Sequence, residues 1–333
     1  MPFSTYTEEW NDLVSSTTEA RIPGVMKQTI TEHRVLRRMT QNNRIINGGG
    51  TGITFTPSFG ENESIKYVSS SAQKIDFKAQ SALTKGRVTP AMLTGYILYD
   101  DDERDANSGE QQMADLVDIK LEQLRDSVDR KMARALFSNG FIDGDPCMKG
   151  FNFWAPTNPG ALTIANISET NMPWWKSQHR PNAGDFAVNG WGGSDRNYFL
   201  NMYVRTSDGG RRPNLIIFDE GVYQEFHNFL LQKVQISSNS DFKGFGDSDI
   251  QIAGLNAEVI WDVDCDPGTA LFLHTRDWYF YTSANLDGKL TPIREIPNQP
   301  LLSFQFLAWK HQLICTRRNM QGRVSGWDVS ATL

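Results

Sequence analysis

Cysteine, long apolar runs and an excess of positive charge are all scarce in this chain, and each scarcity closes off a class of function. Only three of its 333 residues are cysteine, and Cys147, Cys265 and Cys315 are odd in number and far apart. That argues for a reduced compartment and against a disulfide framework, so the three read as small buried apolar residues. No stretch approaches the roughly 18 apolar residues of a membrane span. Near its start the chain carries Glu8, Glu9 and Asp12 where a secretory leader has a basic start and an apolar run, so no leader is expected. The triplets Asn62-Glu63-Ser64 and Asn166-Ile167-Ser168 then carry no glycosylation meaning. With 33 basic and 39 acidic side chains the formal charge is -6, and long-range attraction to nucleic-acid phosphates or anionic lipid is not expected.

Catalytic patterns are missing as well. The chain has no GxxxxGK[ST] phosphate loop, no HExxH, no GxSxG elbow and no Cys-x-x-Cys pair. The five histidines, His33, His179, His227, His274 and His311, lack ligand-like spacing. The run Asp100-Asp101-Asp102-Glu103 with Asp105 lacks the calcium-loop spacing and its central glycine. It reads instead as solvated charge before a helix N-terminus, where the macrodipole favours it. Gly48-Gly49-Gly50-Thr51-Gly52 precedes a strand and opens no helix, so it reads as a hinge, since the amides that hold phosphate belong to a helix start. Trp174-Trp175 and Trp191 invite a sugar-stacking platform, but no carboxylate pair at a defined separation is marked out. Large aromatics also anchor protein interfaces. No catalytic residue, metal ligand or cofactor site is assigned.

What is present is a globular composition, 39% hydrophobic, with one unusual order of segments. Residues 1–46 read as a polar, weakly patterned arm that docks on something else. From Ile53 to Tyr99 the chain is extended and thinly cored: Ile53 and Phe55 alternate with Thr54 and Thr56, and Ile75 and Phe77 with Lys74, Asp76 and Lys78. A hairpin of this kind cannot bury its own apolar face, because two isolated strands are marginal in water. Another surface must cover it.

One long amphipathic helix follows, over 110–138. Met113, Val117, Leu121, Leu124, Val128, Met132 and Ala135 form a continuous stripe, Ser108 offers an N-cap, and Asn139-Gly140 stops the helix. Its length is roughly 43 Å, enough for a beam across a sheet. The second half alternates strands and helices. Leu215-Ile216-Ile217-Phe218 reads as a buried strand, with Asp219 capping a helix whose apolar face is Val222, Phe226, Phe229, Leu230 and Val234. Further strand signals cover 250–253, 257–261, 271–273, 278–281, 303–315 and 324–329.

Taken in order, the arm, the extended excursion, the long helix ending at Asn139-Gly140, Trp174-Trp175, Arg212-Pro213-Asn214-Leu215-Ile216-Ile217, Gly254-Leu255-Asn256, Asp266-Pro267-Gly268-Thr269-Ala270, Phe306-Leu307-Ala308-Trp309-Lys310 and Arg317-Arg318-Asn319-Met320-Gln321-Gly322-Arg323 form a recognisable series. It resembles the major capsid proteins of tailed bacteriophages over roughly Gly52 to Gly326.

The resemblance implies an α+β, HK97-like capsid fold. Its parts would be an N-terminal arm over 1–46, an extended β-hairpin E-loop over 47–107, a peripheral domain over 108–150 and 275–333 holding the spine helix 110–138, and an axial domain over 151–274. It implies a structural protein with no enzymatic activity and no cofactor. Such proteins self-assemble into homo-pentamers and homo-hexamers that tile an icosahedral shell around double-stranded DNA. They do so in the host bacterial cytoplasm, with scaffolding, decoration and portal proteins as further partners and no membrane. A net negative wall that encloses DNA without gripping it suits the charge balance.

On this reading Ile53, Phe55, Ile65, Tyr67, Ile75 and Phe77 are E-loop residues covered by a neighbouring copy, each worth on the order of 1.5 to 3 kcal/mol when buried. Gly48, Gly49, Gly50 and Gly52 would be the hinge at its base. Lys66, Lys74 and Lys78 read as solvated or ion-paired, with no cross-link expected. An encapsulin-like cellular compartment shares the fold, and a monomeric glycan-active enzyme is the reading from another class.

Overall fold

A computed structural model describes residues 33–41, 44–47, 50–57, 67, 84–100, 110–181, 194–233, 257–297 and 299–327. In chain order, α1 (Arg34–Gln41) and β1 (Arg44–Asn47) precede β2 (Ile53–Phe55) and β3 (Gly86–Val88), an antiparallel pair at the base of the excursion. Next come β4 (Ala91–Asp100), the long helix α2 (Glu110–Leu136), the hairpin β5 (Phe141–Ile142) and β6 (Asp145–Pro146), and the single turn α3 (Phe151–Trp154). A second hairpin, β7 (Thr163–Ile164) and β8 (Ile167–Ser168), leads to β9 (Gln178–Pro181) and α4 (Ser194–Arg205). The chain continues through β10 (Leu215–Phe218), α5 (Glu220–Lys233), β11 (Glu258–Trp261), β12 (Thr269–Leu273) and β13 (Trp278–Ser283). It finishes with β14 (Lys289–Leu290), β15 (Arg294–Ile296), the 17-residue β16 (Gln299–Cys315) and β17 (Gly322–Ser325).

These strands build two main sheets. The six-stranded sheet is organised by β16, which runs antiparallel to β4 from Leu302 opposite Asp100 to His311 opposite Ala91. On its other side β16 pairs with β13, β14 and β15, and β1 joins β13 in parallel. The helix α2 lies across one face. Leu124 presses so close to Gly95 of β4 that a Cβ there would come within 2.6 Å of Leu124 Cδ1, and Lys120 Nζ donates to the Leu98 carbonyl at 3.3 Å. Along the expected stripe Leu121 and Leu124 are half-buried and Val128, Met132 and Ala135 buried; the side chains of Met113 and Val117 lie outside the described residues, as does the N-cap Ser108. The helix ends at Leu136, two residues before the expected stop at Ser138. There the Ser138 hydroxyl meets the carbonyls of Ala135 and Met148 at 2.9 and 2.8 Å, and Gly140 takes φ +108°, a value that favours glycine.

The five-stranded sheet has the order β11-β10-β12-β17-β9 and is covered on both faces. Leu215, Ile217, Ile260, Leu271 and Leu273 join one core with Trp154, Trp278 and Leu313. From the opposite face Ile216, Phe218, Val259, Phe272 and Val324 pack with Phe199 and Met202 of α4 and with Val222 and Phe226 of α5. Double coverage is why Leu215–Phe218 is an unbroken apolar run, every residue of it buried. The Asp219 carboxylate, expected as a helix cap, accepts from the Gly268 N–H at 3.1 Å.

Two strands pair far from their own stretch of chain. Ala91–Asp100, inside the 47–107 excursion, is hydrogen-bonded along its whole length to β16. Gly322–Ser325, inside the 275–333 segment, pairs with β12 and β9 in the other sheet. Alternation marks a strand but does not name its partner, which tertiary pairing selects. The strand expected at 250–253 lies outside the described residues.

Candidate assembly surfaces

Five of the sequence-predicted residues can be located at the excursion. Ile53 and Phe55 on β2 are partly buried and pack against the chain's own core. The Phe55 ring lies 6.0 Å from Trp154 and 5.9 Å from Trp175, over Gly86 of the opposite strand. Sequence periodicity could not reveal this contact inside one chain, because its partners are about a hundred residues away. Tyr67 is fully exposed. Gly50 adopts φ +132° and its carbonyl accepts from Lys310 Nζ at 3.0 Å. Gly52 leaves room for the Arg87 side chain, whose Nε would lie 2.6 Å from a Cβ. Ile65, Ile75, Phe77, Gly48, Gly49 and the lysines 66, 74 and 78 lie outside the described residues.

A larger apolar surface lies on the six-stranded sheet, on the face turned away from α2, and the sequence reading missed it. Gly95 faces the helix, so the two-residue period of β4 puts Met92, Tyr96 and Leu98 on the other side; they are 57%, 62% and 41% exposed. Opposite them in register stand Phe306 against Tyr96 and Phe304 against Leu98. Phe306 is 42% exposed, 6.4 Å from the Tyr96 ring and 4.9 Å from Phe304. The signal was available: in Met92-Leu93-Thr94-Gly95-Tyr96-Ile97-Leu98 both alternating sets are largely apolar, the pattern of a strand covered on two sides. Among the described residues one cover, α2, is present.

Several polar groups are buried in the interior. Arg318, from the Arg317–Arg323 motif, is fully buried with Glu169 at 2.8 Å. Burial lowers its pKa from the ordinary arginine value and the Glu169 charge opposes that shift. Nearby, Arg323 pairs with Asp266 and bonds to Asn152. Gln321 accepts from the His274 amide and from Trp278 Nε1 at 3.0 and 2.9 Å. His311, buried against the Phe280 ring, has its pKa brought down to about 4 by desolvation.

Nothing among these groups has the geometry of a reaction centre. Among the described residues no three His, Cys, Asp or Glu side chains could hold a metal ion. The three cysteines are free, and burial raises each thiol pKa. Trp175 is buried in the core with its Nε1 donating to the Ile164 carbonyl at 3.2 Å, which removes it from any sugar platform. The groove of about 580 Å³ beside α2 is walled by Glu122, Asp126, Arg130, Lys131 and Arg134. No described helix is long and apolar enough to cross a membrane.

Solved structures with the same arrangement of elements are shells. The capsid asymmetric unit of cyanophage A-1(L) superposes with a TM-score of 0.67 at 15% identity, covering 95% of this chain and 99% of that one. The chain has the HK97-type capsid fold. The capsid of Myoviridae phage XM1 aligns with a TM-score of 0.55 at 13% identity, over 94% and 98% of the two chains. The holo-SrpI encapsulin complex of Synechococcus elongatus PCC 7942 aligns at 0.58 and 12% identity, over 96% of each chain. No protein-family model and no curated protein matches the sequence.

Proposed function

We propose that this chain is the major subunit of a phage capsid, a non-enzymatic protein whose chemistry is the burial of surface between copies. The observation that carries this reading is the bare apolar face of Met92, Tyr96, Leu98 and Phe306 on a fold otherwise found in shells. A contiguous exposed apolar patch marks an interaction surface, and many such contacts of modest strength sum in a closed shell. The excursion, through Ile65, Tyr67, Ile75 and Phe77, reaches a neighbouring copy, and Gly48, Gly49, Gly50 and Gly52 let it leave at different angles in homo-pentamers and homo-hexamers. Ile53 and Phe55 anchor its base in this scheme. The icosahedral shell encloses double-stranded DNA without sequence-specific contacts, is assembled in the host bacterial cytoplasm, and takes scaffolding, decoration and portal proteins as partners.

Negative-stain electron microscopy of the expressed chain tests this directly. Closed particles are expected, and a compact monomer at every concentration would defeat the reading. The likeness to the SrpI encapsulin supports a second reading, a cellular compartment. Particles purified from the native source decide between them: packaged DNA supports the capsid, and an enclosed enzyme without DNA supports the compartment.

A further inference from the structure

Phe55 is a principal aromatic contact through which the body of the molecule holds the excursion. Its ring sits between Trp154 and Trp175, and each indole is fixed by its own hydrogen bond, Trp154 Nε1 to the Leu313 carbonyl at 3.1 Å and Trp175 Nε1 to the Ile164 carbonyl at 3.2 Å. Both tryptophans also offer their carbonyls to one guanidinium. Arg318 Nε donates to Trp154 O at 2.7 Å and Nη1 to Trp175 O at 3.2 Å, while Nη2 pairs with Glu169 Oε1 at 2.8 Å. Glu169 Oε2 in turn accepts from the amides of Gly160 and Leu162 at 2.6 and 3.4 Å. The other foot of the excursion rests on the same stretch, because the Arg87 amide donates to the Ala165 carbonyl at 3.0 Å. Thus β2 and β3 both stand on the segment between Trp154 and Trp175, which a single buried ion pair ties together.

Stability alone does not call for such a pair, since well-packed apolar replacements of buried ion pairs are often as stable or more so. What the planar, rigid guanidinium fork adds is geometry, holding several acceptors in one fixed arrangement.

We propose that Arg318 and Glu169 are a positioning pair. They keep Trp154 and Trp175 in the arrangement that grips Phe55, and so set the direction in which the excursion leaves the body. That this is the direction a neighbouring copy must meet rests on the capsid reading; the aiming itself does not.

The test uses unassembled full-length subunit with spin labels at Tyr67→Cys and Ser127→Cys in a Cys147→Ser background, read by pulsed dipolar spectroscopy. Otherwise unaltered subunit is expected to give one distance population. Arg318→Lys, which keeps the charge and loses the fork, and Phe55→Leu, which keeps the ion pair and loosens the grip, should each broaden that population and shift its mean while thermal unfolding stays cooperative. A folded Arg318→Lys subunit with an unchanged distance distribution would overturn the proposal. Should that variant fail to fold, Phe55→Leu decides alone, and an unchanged distribution there overturns it equally. Broadened distances in a chain that never assembles would leave the aiming standing and remove the capsid reading.

Discussion

The two sheets of this protein solve the same problem differently. Every residue of Leu215–Phe218 and Thr269–Leu273 is buried, because α4 and α5 cover one face of the five-stranded sheet and the main core covers the other. The six-stranded sheet has α2 on one face and leaves Met92, Tyr96, Leu98 and Phe306 to water on the other. A sheet finished within one chain serves stability. A sheet with one bare apolar face raises the solubility cost of the lone subunit and rewards association.

The contrast predicts a graded set of outcomes on unfolding free energy. Phe272→Ala, in the doubly covered sheet, should cost about 3 to 5 kcal/mol in denaturant unfolding of the subunit; a much smaller loss would mean that this sheet is not the closed one. Acid should come next. The His311 pKa lies near 4, below the ordinary 6.5, because burial disfavours its charged form. Between those values the unfolded chain holds a proton that the folded chain excludes, so stability should fall as pH drops from about 6.5 toward 4, by roughly 3 kcal/mol in total. His311→Gln should flatten that part of the pH profile. Gly95→Ala, which drives a methyl group toward Leu124, should cost about 1 to 3 kcal/mol by overpacking the covered face of β4. Tyr96→Asp with Phe306→Asp, which removes a cross-strand aromatic pair, should cost the subunit only about 1 kcal/mol yet abolish most particle formation in electron micrographs. Normal particle yield from that double variant would place the interface elsewhere.

Local pattern made some of this legible. The stripe Leu121, Leu124, Val128, Met132 and Ala135 identified both α2 and its buried side, and Leu215–Phe218 was marked by continuous apolarity. Phe55 was not legible, because an alternating strand looks the same whether its apolar side meets its own body or another copy. Arg318 was hidden for a related reason. An arginine in a polar corner looks solvated until Glu169, Trp154 and Trp175 are brought around it.

By itself the sequence determined the long helix α2 and its apolar side and the buried strand Leu215–Phe218, since those follow from local periodicity and turn chemistry. Only the tertiary structure decided that β4 belongs with β16, that β17 belongs with β12 and β9, that Phe55 lies between two tryptophans, and which apolar face stays bare. Pairing and burial depend on contacts between residues far apart in the chain, and no local pattern encodes which distant surface will arrive.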